Sequence, residues 1–148
     1  MSKDYDHAEL LYRILPAVYR ERDDTGDLKK LLSGCGLLLD VNNIFVNAVN
    51  HRYDPAAFLR ALPADRVWYL HTAGHYVEAP DLRVDTHGAA VCDEVWALLA
   101  AAYEHCGPLP TLLERDFNFP PLEELVTEVE RVRGLQGQAG AARREGSA

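Results

Sequence analysis

Residues 35–43, Cys35-Gly36-Leu37-Leu38-Leu39-Asp40-Val41-Asn42-Asn43, hold a short apolar run that stops abruptly at polar side chains able to bind a metal. The same arrangement recurs along the chain. Val67-Trp68-Tyr69-Leu70 runs into His71-Thr72-Ala73-Gly74-His75, Leu82-Arg83-Val84 into Asp85-Thr86-His87, and Thr111-Leu112-Leu113 into Glu114-Arg115-Asp116. Apolar runs of this length, bounded by turn residues, read as buried strands: Leu37–Asp40, Val67–His71, Arg83–Asp85 and Thr111–Glu114. Helical spacing lies between them. Strands alternating with helices predict an α/β fold of about four parallel strands, whose C-terminal ends gather functional groups on one rim.

Working outward, Asp54-Pro55 predicts a helix through Leu62, with Asp at the N-cap and Pro in the first turn. Asp93 to His105 reads as a helix with Val95, Trp96, Leu98, Leu99 and Tyr103 on its inner side. Pro120-Pro121 opens a last helix with Leu122, Leu125, Val126 and Val129 as its apolar face. Upstream, residues 7–22 have helical spacing interrupted at Pro16, and a second short helix spans Leu28 to Leu32. After Gly134 the Gln, Gly, Ala and Arg composition predicts a loose tail. The expected organisation is therefore a helical segment at 1–34, an α/β unit at 35–134 and a disordered tail at 135–148.

The chain has 148 residues. A complete eight-stranded α/β barrel needs about 250 residues, so half a barrel is the most this length accommodates. The net charge of −8, with no stripe of Lys and Arg, argues against nucleic acid as a partner. Cys35, Cys92 and Cys106 form no CxxC pair and no even-numbered framework, which fits reduced thiols and a cytoplasmic location. No apolar stretch approaches the roughly 20 residues of a membrane span, and no signal peptide is evident at Met1.

Each polar pair also has a plainer reading. Asp40 can cap the turn that follows it, and Asn42 and Asn43 can bond the local backbone. A histidine at a strand end, such as His71 or His75, is more often packed and hydrogen-bonded than metal-bound. Asp85 and His87, at i and i+2, would face the same way along a strand. Glu114 can pair with Arg115 or a neighbouring helix. Together, imidazole and carboxylate without a thiolate motif favour iron, manganese or zinc, and the mixed set suits non-haem iron with oxygen chemistry or a hydrolytic two-metal site. His51 and His105 read as surface residues, and the cysteines as small buried hydrophobes.

Four words, CGLLLDVNNIFVNAVNH, YLHTAGH, VDTHGAAVCDEVW and PTLLERDFNFPPLEEL, stand in order over residues 35–133. They closely resemble the C-terminal half of the multinuclear non-haem iron-dependent oxidative enzymes, the DUF692 barrel group. The resemblance implies a TIM-type barrel, here a partial one, with two or three irons at its C-terminal rim. It implies an enzyme that uses oxygen to remodel cysteines of ribosomally made precursor peptides, working with a peptide-recognising partner protein. Carried over by position, Asp40, Asn43, His71, His75, Asp85, His87 and Glu114 are the expected metal residues, with Asn43 and His75 either ligands or groups that orient them. Residues 6–32 instead weakly resemble the start of phage-tail or baseplate proteins, with a seam near Ser33–Gly36. The expectation is a truncated or fused family member with an incomplete metal site. A homodimer or a separate N-terminal half would complete it. The alternative is a non-catalytic remnant or a tail-associated structural protein. A metal-dependent isomerase or hydrolase fits the donor types but not the four words.

Overall fold

A computed structural model of the chain describes residues 36–146. The helices expected within 7–32, the seam at 33–36 up to Cys35, and Cys35 itself lie outside the described residues.

Among the described residues three strands form a parallel sheet in the order β1 (Leu37–Asp40), β2 (Val67–Ala73) and β5 (Thr111–Glu114). Helices α1 (Val41–His51) and α2 (Pro55–Ala61) cross from β1 to β2, and α3 (Asp93–Cys106) returns the chain to β5. A final helix, α4, runs from Leu122 to Glu145. The architecture is α/β, an open parallel sheet alternating with helices, consistent with part of a TIM-type barrel.

The expected third parallel strand is placed differently. Leu82–Val84 (β4) pairs antiparallel with Tyr76–Ala79 (β3) in a separate two-stranded hairpin. Pro80 and Asp81 supply the turn, and three residues are too short a run for sequence to tell a hairpin arm from a parallel strand. Asn50 of α1 anchors the hairpin: its Oδ1 accepts from the Arg83 amide at 2.7 Å and its Nδ2 donates to the Arg83 carbonyl at 2.8 Å.

Local chemistry accounts for the helix ends. Asp40 and Asp54 accept hydrogen bonds from the first-turn amides of α1 and α2. Gly107, at φ 98°, ends α3 in a conformation that L side chains rarely adopt. The predicted inner face of α3 is buried, with Val95, Leu99 and Tyr103 fully so. The Tyr103 hydroxyl ties α3 to the sheet through Thr111 Oγ1 at 2.5 Å.

Residues 135–145 are helical where composition predicts a loose tail. Docking onto α3 and its exit loop supplies what composition lacks. Gln136 Nε2 donates to the Leu109 carbonyl at 2.8 Å, Ala139 is buried, and Arg143 donates to the Glu104 and His105 carbonyls at the end of α3. The expected apolar face of the same helix is not its buried face: Leu122, Val126 and Val129 are exposed.

Strand register decides which side chains share a face. Leu38 pairs with Tyr69, Asp40 with His71, His71 with Leu112, and Ala73 with Glu114. Paired residues point the same way, so Asp40, His71 and Glu114 stand together at the C-terminal end of one face. Below them Leu38 is 63% exposed and Leu112 44% exposed. The opposite face, with Leu39 and Leu70, is buried under the helices.

Candidate metal centre

The rim is built from four short segments. Asp40 ends β1 and does two jobs with its two oxygens. Oδ1 accepts from the Asn43 amide at 2.9 Å, which caps α1, and Oδ2 lies 2.6 Å from His71 Nδ1. The plain reading of Asp40 as a cap and the functional one are therefore compatible. Because a carboxylate only accepts, His71 Nδ1 carries the proton in this bond. The hydrogen bond to Asp40 raises the His71 pKa, against the opposing effect of burial.

His71 Nε2 is then the informative atom. It lies 2.5 Å from Glu114 Oε2, yet it is buried and has no hydrogen bond of acceptable geometry. In a neutral imidazole already protonated on Nδ1, this contact sets a lone pair against a carboxylate oxygen. Such an arrangement calls for a positive charge, either a proton or a cation.

His87 adds a second buried orphan, its Nε2, which stands 3.1 Å from Asp85 Oδ1 without an accepted hydrogen bond. Its Nδ1 is 3.5 Å from Glu114 Oε2 and 3.4 Å from Asp116 Oδ2. The His71 and His87 rings meet edge to face at 5.2 Å. Asp85 and His87 do come together, but not as alternating strand residues: β4 ends at Val84, and His87 sits in the left-handed region at φ 52°. Histidine enters that region more readily than bulkier residues, and such outliers concentrate at functional sites. The Asp116 amide donates to the His87 carbonyl at 3.0 Å and holds the turn in place.

Two donor groups able to hold an ion emerge: Asp40, His71 and His87, and His87 with Glu114 and Asp116. Buried imidazole nitrogens facing carboxylates, with no thiolate among them, form a donor set that fits iron, manganese or zinc. The remaining expected residues are placed around this centre. Asn43 donates through Nδ2 to Asp85 Oδ2 at 3.0 Å and accepts from Asn47 at 2.7 Å, so both ends of its amide are engaged. His75 is buried, its Nδ1 is 2.9 Å from Asn42 Oδ1, and burial together with the charge of Arg83 lowers its pKa. Glu114 is not paired with Arg115, which bonds Glu128 instead.

Two residues here were absent from the expected set. Asp116 follows Glu114 at i+2, the same spacing that drew attention to Asp85 and His87. Asn42, fully buried, works through partners 33 and 43 residues away, so only the fold reveals it. Cys92 and Cys106 are half-buried, with burial raising their thiol pKa values. Among the described residues no helix is long and apolar enough to cross a membrane.

Comparison with known proteins finds relatives of this chain. Residues 28–137 match the family described as RiPP precursor modification enzyme MbnB/TglH/ChrH. A UPF0276 protein of Shewanella amazonensis is 64% identical over 105 residues, which is 71% of this chain and 38% of the relative. A UPF0276 protein of Pseudomonas aeruginosa is 56% identical over 108 residues, 73% of this chain and 38% of the relative. One from Alcanivorax borkumensis is 58% identical over 104 residues, 70% of this chain and 35% of the relative. The chain thus spans between a third and two fifths of the length of these relatives.

Proposed function

We propose, from the premise that this chain belongs to the MbnB/TglH/ChrH family of RiPP precursor modification enzymes, that it carries part of an iron centre that oxidatively modifies cysteine in a precursor peptide. The observation that carries the reading is the contact between the buried His71 Nε2 and Oε2 of the partly exposed Glu114, 2.5 Å apart without an acceptable hydrogen bond, where a positive charge is called for. His71, His87, Glu114 and Asp116 would donate directly, with Asp85 beside His87. Asp40 and Asn43 would orient them: Asp40 holds the His71 tautomer, and Asn43 holds the Asp85 carboxylate. Bound there, iron would supply the redox chemistry that lets oxygen be used against an unactivated C–H bond. The protein groups would keep imidazole nitrogens unprotonated on the inner side and hold the Asp85 carboxylate through two amide donors. The peptide, and a protein that recognises it, are the partners this reading requires.

The test is iron content by mass spectrometry after anaerobic iron(II) loading, on the wild type and on His71→Ala and Asp85→Ala. The expected result is about one iron or more per chain, lost in both variants. Stoichiometric iron unchanged in both variants, or none in the folded wild type, overturns the assignment.

A further inference from the structure

We infer that Asn42 is a positioning residue that locks His75 in the Nδ1–H tautomer and so leaves His75 Nε2 as a bare electron-pair donor. The role of that donor at the rim rests on the metal centre proposed above; the tautomer itself does not.

Asn42 is fully buried near the start of α1. Its Nδ2 is 2.7 Å from Asp85 Oδ1, and its Oδ1 is 2.9 Å from His75 Nδ1. An ionised carboxylate offers no hydrogen, so the NH2 end of the amide must face Asp85. The oxygen end therefore faces His75. An amide oxygen offers no hydrogen either, so the proton in that bond belongs to His75 Nδ1. A neutral imidazole has one N–H, and Nε2 is left unprotonated.

Neighbouring groups hold this polarity. Asn43 donates to the other Asp85 oxygen at 3.0 Å, while its own oxygen accepts from Asn47 at 2.7 Å. Every donor in this run of bonds points towards Asp85, and neither amide can turn over without losing two hydrogen bonds. The Phe45 ring, with its centroid 5.3 Å from the His75 ring, packs against the imidazole. Asn42 thus couples the Asp85 carboxylate to the protonation pattern of His75 across three segments of the fold.

The experiment is long-range proton–nitrogen correlation NMR of the metal-free, nitrogen-15-labelled full chain at mildly alkaline pH, with His75 assigned by His75→Gln. The expected wild-type spectrum shows His75 as Nδ1–H with a pyridine-type Nε2. Asn42→Leu should abolish that pattern. The wild-type spectrum by itself keeps the inference testable should the leucine variant fold poorly. Manganese(II) titration of the same proteins should show Asn42→Leu binding about 10–100-fold more weakly. A wild-type His75 protonated on Nε2, or an unchanged tautomer in folded Asn42→Leu, overturns the inference. The expected tautomers in a protein that binds no metal would uphold the Asn42 lock and defeat the metal reading alone.

Discussion

The Arg115–Glu128 pair gives the sharpest stability prediction. Arg115 stands between Glu114 and Asp116 and reaches Glu128 of α4 at 3.2 Å, with the two side chains only 8% and 15% exposed. Glu128 is doubly employed, because its other oxygen accepts from the Val91 amide at 3.0 Å. Arg115 Nε has no partner, so the guanidinium is already short of one bond. Glu128→Ala would strand a buried cation and a backbone amide at once. Breaking one partner of a buried pair costs about 3–5 kcal/mol, and residual solvent access to Glu128 favours the lower end. Glu128→Gln keeps an acceptor for Val91 but turns its NH2 towards Arg115, so the guanidinium is still left unpaired, and the variant should be spared only the lost Val91 bond, about 1 kcal/mol. Arg115→Met combined with Glu128→Leu removes both charges and should be less damaging than Glu128→Ala alone.

Urea unfolding of the four proteins measures the ordering directly. A loss of about 3 kcal/mol should also lower Tm by about 10 °C in a chain of this size. A Glu128→Ala cost below about 1 kcal/mol, or a double variant as unstable as Glu128→Ala, would show that the pair is solvated and that the argument is wrong.

The other expectations are as follows. Gly74→Ala would set a Cβ 2.0 Å from the Ala89 carbonyl oxygen, whereas Gly88→Ala meets the half-exposed Phe117 ring at 2.3 Å. Backbone cannot yield as a ring can, so thermal melts should show Gly74→Ala losing about 3 kcal/mol or more and Gly88→Ala less. The Tyr53 hydroxyl donates to the Ile44 carbonyl at 3.1 Å, and burial pushes its pKa up to about 12. Its contribution to stability is whole below pH 10, the unfolded value, and is lost as pH rises towards 12. Tyr53→Phe should flatten that alkaline loss, and an identical pH profile in the variant refutes the assignment. Thr111 Oγ1 donates to the Leu109 carbonyl at 3.1 Å, so Tyr103 must be the donor in its bond to Thr111. Thr111→Val leaves the Tyr103 hydroxyl proton without its acceptor and should cost about 1–3 kcal/mol, against about 1 kcal/mol for Tyr103→Phe; the reverse order in chemical denaturation refutes that direction. Asp40→Ser keeps a cap for α1 but not the partner of His71, so helix content and Tm should hold while iron affinity falls; parallel loss of both argues that the cap alone matters.

What sequence reveals here is whatever depends on near neighbours. Asp54-Pro55 starts a helix because the Asp oxygen and its target amides are two and three residues apart. The inner face of α3 is legible because apolar spacing and burial coincide there. Asp40, His71 and Glu114 are legible in the same way, since polar residues at strand ends need only a parallel sheet to bring them together, whereas Asp85 and His87 follow a hairpin arm outside that sheet. The hairpin was not, because β4 is three residues long and its partner is set by a turn rather than by periodicity. Nor was the far half of α4, where Gly134 and Gly137 weaken the helix and docking to α3 offsets the loss. Asn42 reads from sequence as a local backbone binder, since nothing near it in sequence announces Asp85 or His75.

The four residues Asp40-Val41-Asn42-Asn43 explain why the rim assembles at all. Asp40 ends a strand, caps a helix and holds His71; Asn42 holds Asp85 and His75; Asn43 holds the other oxygen of Asp85. Val41, fully buried, anchors the turn from which all three project. These residues also form the positive end of the α1 dipole, which favours the carboxylates gathered there. The Asp85 carboxylate and two imidazoles, His71 and His75, are thus held by the side chains of a single strand-to-helix junction. The repulsion among the carboxylates gathered there is offset by two amides and one helix end, and on the proposed reading by a cation. The junction that begins the fold is therefore also the element that pre-arranges the chemistry, and a substitution within it should seldom disturb one without the other.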